Sequence, residues 1–383
     1  MAGMQSISAT PLVRIYHDKE RIKIMTDKPI AIIGGGNGGQ AFAAWLSLRG
    51  HTTRLFDVVE ATCDAINKKG GVELRGSASE LGLGKIAFAS TDIAKVIEGC
   101  ELIMVVLPSI YHKKIAQTMA PHLKDGQIVL LNPNASLGAV EFRKALQDCG
   151  CQADILLGAA STLLFACRAV EAGTVQVAGQ KDTLTCTALP SSRNGELKER
   201  IGDIFPAYTF DADIIEVSLD NLNAFVHPGP TLLNTGRIES GTSFEYYLEF
   251  TPGQAALVEA LDRERCAIAK AFGVNLPTIV EEYLAQYETK GSTIYEVLTN
   301  CEGYHGVMGP KSLEVRYLLE DIPYSLEPIC AMADIAGVPA PTCHAVITMA
   351  RAILGDKLDE GRTAKNLGIE GMSKVEFLKL CRG

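Results

Sequence analysis

The segment Pro29–Asp57 reads PIAIIGGGNGGQAFAAWLSLRGHTTRLFD: a strand, a glycine turn, a helix and a second strand. The apolar run Ile30–Ile33 has the character of a buried parallel strand, and Gly34, Gly36 and Gly39 follow on the G-x-G-x-x-G spacing that opens a helix. The first glycine permits a tight turn, the second lets backbone approach a pyrophosphate, and the third lets the helix pack on the sheet. That helix, from about Asn37 to Arg49, offers the free N–H groups of its first turn to a diphosphate. Asp57 closes the second strand, Thr53–Phe56, at roughly the 20-residue offset where a carboxylate accepts hydrogen bonds from an adenosine ribose. The pattern predicts a dinucleotide-binding α/β unit, with NAD or NADH preferred. A 2′-phosphate would meet the charge of Asp57, and Val58 and Val59 supply no arginine, although a distant lysine would leave NADPH open. A glycine turn without ligand, or a flavin site, are the competing readings.

Alternation continues beyond Asp57. Helices are expected near Glu60–Lys69, Ile93–Gly99, Tyr111–Leu123 and Ala139–Cys149, and strands near Val72–Leu74, Ile86–Ala89, Glu101–Leu107, Gln127–Leu131 and Asp154–Ala160. This is the pattern of a doubly wound parallel sheet, whose ligands sit at the carboxyl ends of the strands. Leu107, Pro108 and Ser109, and the run Asn132–Ser136, lie at such ends; they line the nicotinamide side of a cleft or are ordinary connecting loops. From Leu163 to Ala188 the chain is strand-like, and around Phe205–Phe210 its character changes. Helical periodicity then dominates, over Ala255–Phe272, Leu276–Glu288, Leu313–Leu319, Leu326–Ala336 and Thr342–Leu354. The expected fold is therefore an α/β Rossmann-type doubly wound domain, residues 28–207, followed by a mostly α-helical substrate domain, residues 208–383.

Composition narrows the partners. A formal charge of −9 argues against nucleic acid and anionic membrane, and favours a small-molecule partner. Eleven scattered cysteines without a C-x-x-C pair read as reduced thiols of a cytoplasmic protein. Neither Cys149 with Cys151 nor Cys343 with His344 has the spacing of a closed zinc site, so no metal is expected. No apolar run is long enough to span a membrane. Residues 1–27 lack the apolar core of a secretory signal and read as a disordered leader, or as sequence upstream of a start at Met25. The helical half has apolar surface enough for a homodimer.

Hydride transfer from a nicotinamide to a carbonyl or imine calls for a general acid and a cation to hold a substrate carboxylate. His227, in NLNAFVHPGP, is the best acid, with the following proline biasing it away from helical geometry. A helix-terminal histidine bonded to backbone carbonyls is the plain alternative. The segment Arg316–Pro323, RYLLEDIP, adds Arg316 as a bidentate carboxylate ligand and Asp321 as a partner that would fix the tautomer of His227. Pro323 is expected to break the helix and release Asp321; a solvated charge run at a helix end is the alternative. His17, His51, His112 and His122 are placed in a leader, in turns or on helix surfaces.

These stretches resemble the opine dehydrogenase family, the octopine and nopaline dehydrogenase group, from about Pro29 to the C-terminus. The likeness is carried by GGGNGGQAFA at Gly34, the run from Leu107 to Pro133, FACR at Phe165, NAFVHPGPTLLNTG around His227, RYLLEDIPYSLEPICAMADIAGVPAP from Arg316 and NLGIEG at Asn366. The resemblance implies NAD(P)H-dependent reductive condensation of a 2-oxo acid, often pyruvate, with the amino group of an amino acid. It also implies that His227 is the acid/base, Asp321 its partner and Arg316 a substrate ligand, with Asn223 and Glu141 contributing to the cleft. Two stretches depart from the family pattern: Asn132–Gly138, where more glycine is expected, and Ala160–Ser161, where an acidic residue is common. A simple 2-oxo acid or ketone reductase of related design, and a non-catalytic NAD-binding regulator, are the rival readings.

Overall fold

The structure, a computed structural model, describes residues 28–383, so the expected leader lies outside the described residues. Four-residue apolar runs make the central strands β1 (Ile30–Ile33), β5 (Leu102–Val105) and β6 (Ile128–Leu131), and β2 (Thr53–Phe56) lies beside β1. Around them lie β3 (Gly71–Gly76), β4 (Gly82–Ser90), β7 (Leu156–Ala160), β8 (Phe165–Glu171), β9 (Thr174–Gln180), β10 (Leu184–Ala188) and β11 (Tyr208–Thr209). All 11 join one sheet, in the order β11-β10-β7-β6-β5-β1-β2-β4-β3-β9-β8. The stretch from β7 to β4 is parallel throughout, while β10 runs antiparallel to β7 and β3 antiparallel to β4. From β1 the chain builds outward through β2 on one side and through β5 on the other, so the strand order reverses at β1 and β5. Ligands of such sheets bind in the crevice at that point.

Burial alternates along β1 and β5. Ala31, Ile33, Ile103 and Val105 enter one core, while Ile30, Ile32, Leu102 and Met104 enter the other. Strands covered on both faces read as continuous apolar runs. The second core is local to the α/β unit and holds Phe42, Trp45, Phe165 and Phe205 in edge and stacked contacts. The first core continues without a break into the helical half, through Phe225, Leu261, Ile268 and Met332. The sheet thus fixes the helical half against one of its faces, above the strand ends.

The sheet extends two residues beyond the expected boundary at 207, because Tyr208–Thr209 adds β11 beside β10. The helical half begins at Ile214–Leu219, whose N-cap Asp213 accepts hydrogen bonds from the N–H groups of Ile215 and Glu216. Its longest helix, Pro252–Ala271, carries a capping box from Thr251 and Gln254. No helix of the described residues is long and apolar enough to cross a membrane.

Candidate active site

The turn after β1 is built so that its glycines do different work. Gly34 has φ +118°, and a Cβ on it would stand 2.4 Å from the carbonyl oxygen of Val106 after β5. A Cβ on Gly39 would lie 1.7 Å from the carbonyl oxygen of Gly34, so the helix Asn37–Leu48 packs on the turn only because residue 39 has no side chain. Gly36, the N-cap of that helix, faces open space and leaves the first turn without a side-chain cap. Asp57 accepts the Gly35 N–H at 2.7 Å on one carboxylate oxygen and the Val59 N–H at 2.8 Å on the other. Each oxygen keeps a second lone pair for a ribose hydroxyl. Val58 beside it is exposed. A tight turn, an open N-terminal face and an anchored carboxylate at the end of β2 fit a dinucleotide without a 2′-phosphate. Asn37 opens the helix, with its side-chain oxygen taken by the Ala169 N–H at 2.9 Å. Leu107 packs against Gly34, and Pro108 precedes the short turn Ser109–Tyr111.

His227 and Asp321 are brought together. The histidine Nδ1 lies 2.8 Å from Asp321 Oδ2, with both residues buried. A carboxylate only accepts, so Nδ1 carries the proton and Nε2 is the acceptor in the neutral ring. The Tyr247 hydroxyl supplies that donor at 2.9 Å, and burial, foremost among its causes, pushes the phenol well above its ordinary pKa. Tyr317 stacks on the imidazole with centroids 4.0 Å apart, and the Tyr246 hydroxyl bonds the His227 carbonyl at 2.8 Å. Tyr246, Tyr247, Tyr283, Tyr287, Tyr304 and Tyr317 form one continuous aromatic wall. Sequence reasoning missed this wall; the signal was that seven of the 11 tyrosines lie between residues 246 and 317.

Two local expectations are corrected. His227 keeps right-handed helical angles, φ −101° and ψ −60°, because its N–H bonds the Asn223 carbonyl and its own carbonyl accepts from Thr231. Pro228 starts the next short helix without diverting the residue before it. Nor does Pro323 break the chain's helical path. Asp321 N–H reaches the Arg316 carbonyl and Leu326 N–H the Asp321 carbonyl, both five residues back, making a π-helical turn that leads into helix Glu327–Ala336. The wider turn points Asp321 at His227. Such turns recur at functional sites.

Arg316 lies across the same cleft, its Nε 2.9 Å from Glu320. Glu320 in turn accepts the Ser109 N–H from the α/β unit at 2.9 Å, which ties the cation to the end of β5. Between the two halves is a cavity of about 230 Å³ whose wall includes Ser109, Pro133, Asn223, Arg316, Glu320 and Asp321. Asn223 therefore borders the cleft. Glu141 does not: its carboxylate is committed to buried Arg362 at 3.0 Å, beneath the joint between the halves. His112 is likewise no surface residue. It is fully buried, between the Leu107 carbonyl and the same Arg362. In the run Asn132–Ser136, Asn132, Asn134 and Ser136 are buried, and only Pro133 and Ala135 reach the cavity. Ala135 and Leu137 hold φ +50° and +55°, which explains why glycine is the expected residue type there.

Residues 211–354 match the family described as NAD/NADP octopine/nopaline dehydrogenase, alpha-helical domain, and residues 29–133 the family described as NAD-dependent glycerol-3-phosphate dehydrogenase N-terminus. An octopine dehydrogenase solved with NADH and L-arginine superposes with a TM-score of 0.77 at 20% identity, over 92% of this chain and 98% of that one. A yersinopine dehydrogenase bound to NADP⁺ gives a TM-score of 0.67 at 12% identity, over 93% and 98%. The "Opine dehydrogenase" of Arthrobacter sp. (strain 1C) is 37% identical over 352 residues, covering 91% of this chain and 98% of the relative. With that identity along nearly its whole length, the chain belongs to the opine dehydrogenase family of NAD(P)-dependent oxidoreductases.

Proposed function

We propose that this protein catalyses the NADH-dependent reductive condensation of a 2-oxo acid, with pyruvate the expected one, and the amino group of an amino acid. The product is a secondary amine dicarboxylate, and the reverse oxidation uses the same groups. The observation that carries this reading is the buried His227–Asp321 pair at 2.8 Å, with Asp321 in the wall of a cavity that also holds Arg316.

Arg316 holds the oxo-acid carboxylate through its guanidinium, kept in place by Glu320. His227 Nε2 takes a proton from the substrate ammonium, the freed amine adds to the oxo carbon, and the hydroxyl of the adduct leaves as water with that same proton. Asp321 accepts the Nδ1 hydrogen bond throughout, so it stabilises the imidazolium and keeps Nε2 as the nitrogen that exchanges its proton. Tyr247 holds the position at Nε2 that the reacting group takes. A dinucleotide on the Gly34–Gly39 turn would supply the hydride that reduces the imine. Asp57 at the end of β2 favours NADH over NADPH. A cytoplasmic site of action fits the 11 free cysteines.

The test follows NADH oxidation by the purified protein with pyruvate alone, then with pyruvate and each member of an amino acid panel. Turnover that depends on an amine supports the reading and names the partner. Turnover on the oxo acid alone would make this a simple reductase, and NADH binding without turnover a regulator.

A further inference from the structure

Resting on the reaction just proposed, the product carries two carboxylates on either side of one secondary amine. A cleft that holds it needs two cations, and Arg316 accounts for one. The cavity at Arg316 continues outward. Its wall at Ser161, Ala166, Lys181 and Tyr287 is shared with an adjoining cavity of about 490 Å³, and Lys181 and Tyr287 also border a third of about 90 Å³. Among the described residues lining these three spaces, Arg316 and Lys181 are the only lysine or arginine side chains.

Lys181 lies in the turn between β9 and β10, and its Nζ has one hydrogen-bond partner, the neutral side-chain oxygen of Gln286 at 3.3 Å. Burial pulls its pKa down, opposed by the nearby charges of Asp220 and Glu282. Neither carboxylate comes within ion-pair distance of it. Asp220 is itself pushed up to about 6, first by burial and then by Glu282. The half-buried ammonium thus faces an open cavity with no anion docked on it, whereas Arg316 is already paired with Glu320.

We propose that Lys181 receives the α-carboxylate of the amino substrate, opposite the oxo-acid carboxylate at Arg316, and so makes the enzyme select amino acids over plain amines. Wild type is first assayed with pyruvate and the amino acid panel; absence of amine-dependent turnover there removes the underlying reaction, not the role of the lysine. Given turnover, Lys181→Met should raise KM for the amino acid roughly tenfold or more, the scale of one lost charge-assisted hydrogen bond, with KM for pyruvate and NADH unchanged. Lys181→Arg should recover most of that loss. The matching primary amine without its carboxylate should be a poor substrate for wild type and no poorer for Lys181→Met. An unchanged KM for the amino acid in Lys181→Met, or an equal loss with the primary amine, would overturn the assignment. So would a KM restored by adding Asp220→Asn to Lys181→Met, because the lysine would then serve only to balance Asp220. Should Lys181→Met fail to fold, the wild-type comparison decides: equal KM for the amino acid and the plain amine overturns the proposal.

Discussion

His227 has both ring nitrogens occupied before any substrate arrives, Nδ1 by Asp321 and Nε2 by Tyr247. The two bonds differ in kind. Asp321 is a buried acceptor that cannot exchange places with a ligand, whereas the Tyr247 hydroxyl is a neutral donor that a substrate group can replace. Removing the imidazole with His227→Ala should therefore lower kcat on the order of 10²-fold or more, with NADH binding nearly intact. Tyr247→Phe should keep kcat within about threefold of wild type. It should lower stability by about 1–2 kcal/mol, because Nε2 is left without its buried partner. Steady-state kinetics with urea unfolding of both variants checks the pair. A kcat for Tyr247→Phe as low as that of His227→Ala would mean that the phenol passes the proton itself.

At the scale of elements, the glycine turn separates packing from ligand contact. Gly39 is needed by the fold, since its Cβ would collide with the Gly34 carbonyl, while the Cβ of a residue at 36 would enter open space at an ordinary φ of −77°. Gly36→Ala should thus leave stability unchanged within about 1 kcal/mol, yet raise KM for NADH roughly tenfold or more, because the methyl takes the room of the pyrophosphate. Thermal unfolding and NADH titration measure the two effects, and an unchanged KM would place the diphosphate elsewhere. This turn was legible in the sequence because spacing alone dictates it, as were β1, β5 and β6, whose burial on both faces leaves unbroken apolar runs. The helices around His227 were not. Ile214–Leu219, Asn223–Val226, Pro228–Leu233 and Thr235–Glu239 have four to six residues each, too few for a 3.6-residue period to register. Arg316–Leu319 was read as part of a longer helix, and the π-helical turn after it follows from its packing on Arg362 as much as from local propensity. The motifs nonetheless singled out His227 and Asp321, which the fold pairs, and Arg316, which lines the same cavity as Asp321, whereas Glu141 is drawn away from the cleft to Arg362. Nothing local to Glu141 reveals that its partner, Arg362, lies 221 residues away.

The whole molecule is held at its joint by that arginine. Arg362 is fully buried; it reaches Glu141, the Ser136 carbonyl and His112 in the α/β unit, and the Tyr324 carbonyl in the turn that carries Asp321. Arg362→Met should cost about 3–5 kcal/mol in urea unfolding, since Glu141 is left buried and unpaired, and adding Glu141→Met should recover part of the loss. The same joint makes stability depend on pH. Arg362 only donates, so His112 Nδ1 must accept from it while Nε2–H donates to the Leu107 carbonyl, and the ring is neutral. Burial first, then the guanidinium charge, pushes the His112 pKa down to about 3. In the unfolded chain the same ring titrates near 6.5. Between those values the unfolded state binds a proton that the folded state refuses, so acidification favours unfolding. The contribution is complete above pH of about 6.5 and drains away at about 1.4 kcal/mol per pH unit as pH falls toward 3. The variant His112→Gln lacks the group, and its unfolding free energy should fall less steeply from pH 6.5 to 5, by the equivalent of about one proton. Parallel slopes for wild type and variant over that interval would mean that His112 takes up its proton in the folded protein, and that the buried joint admits a second cation beside Arg362.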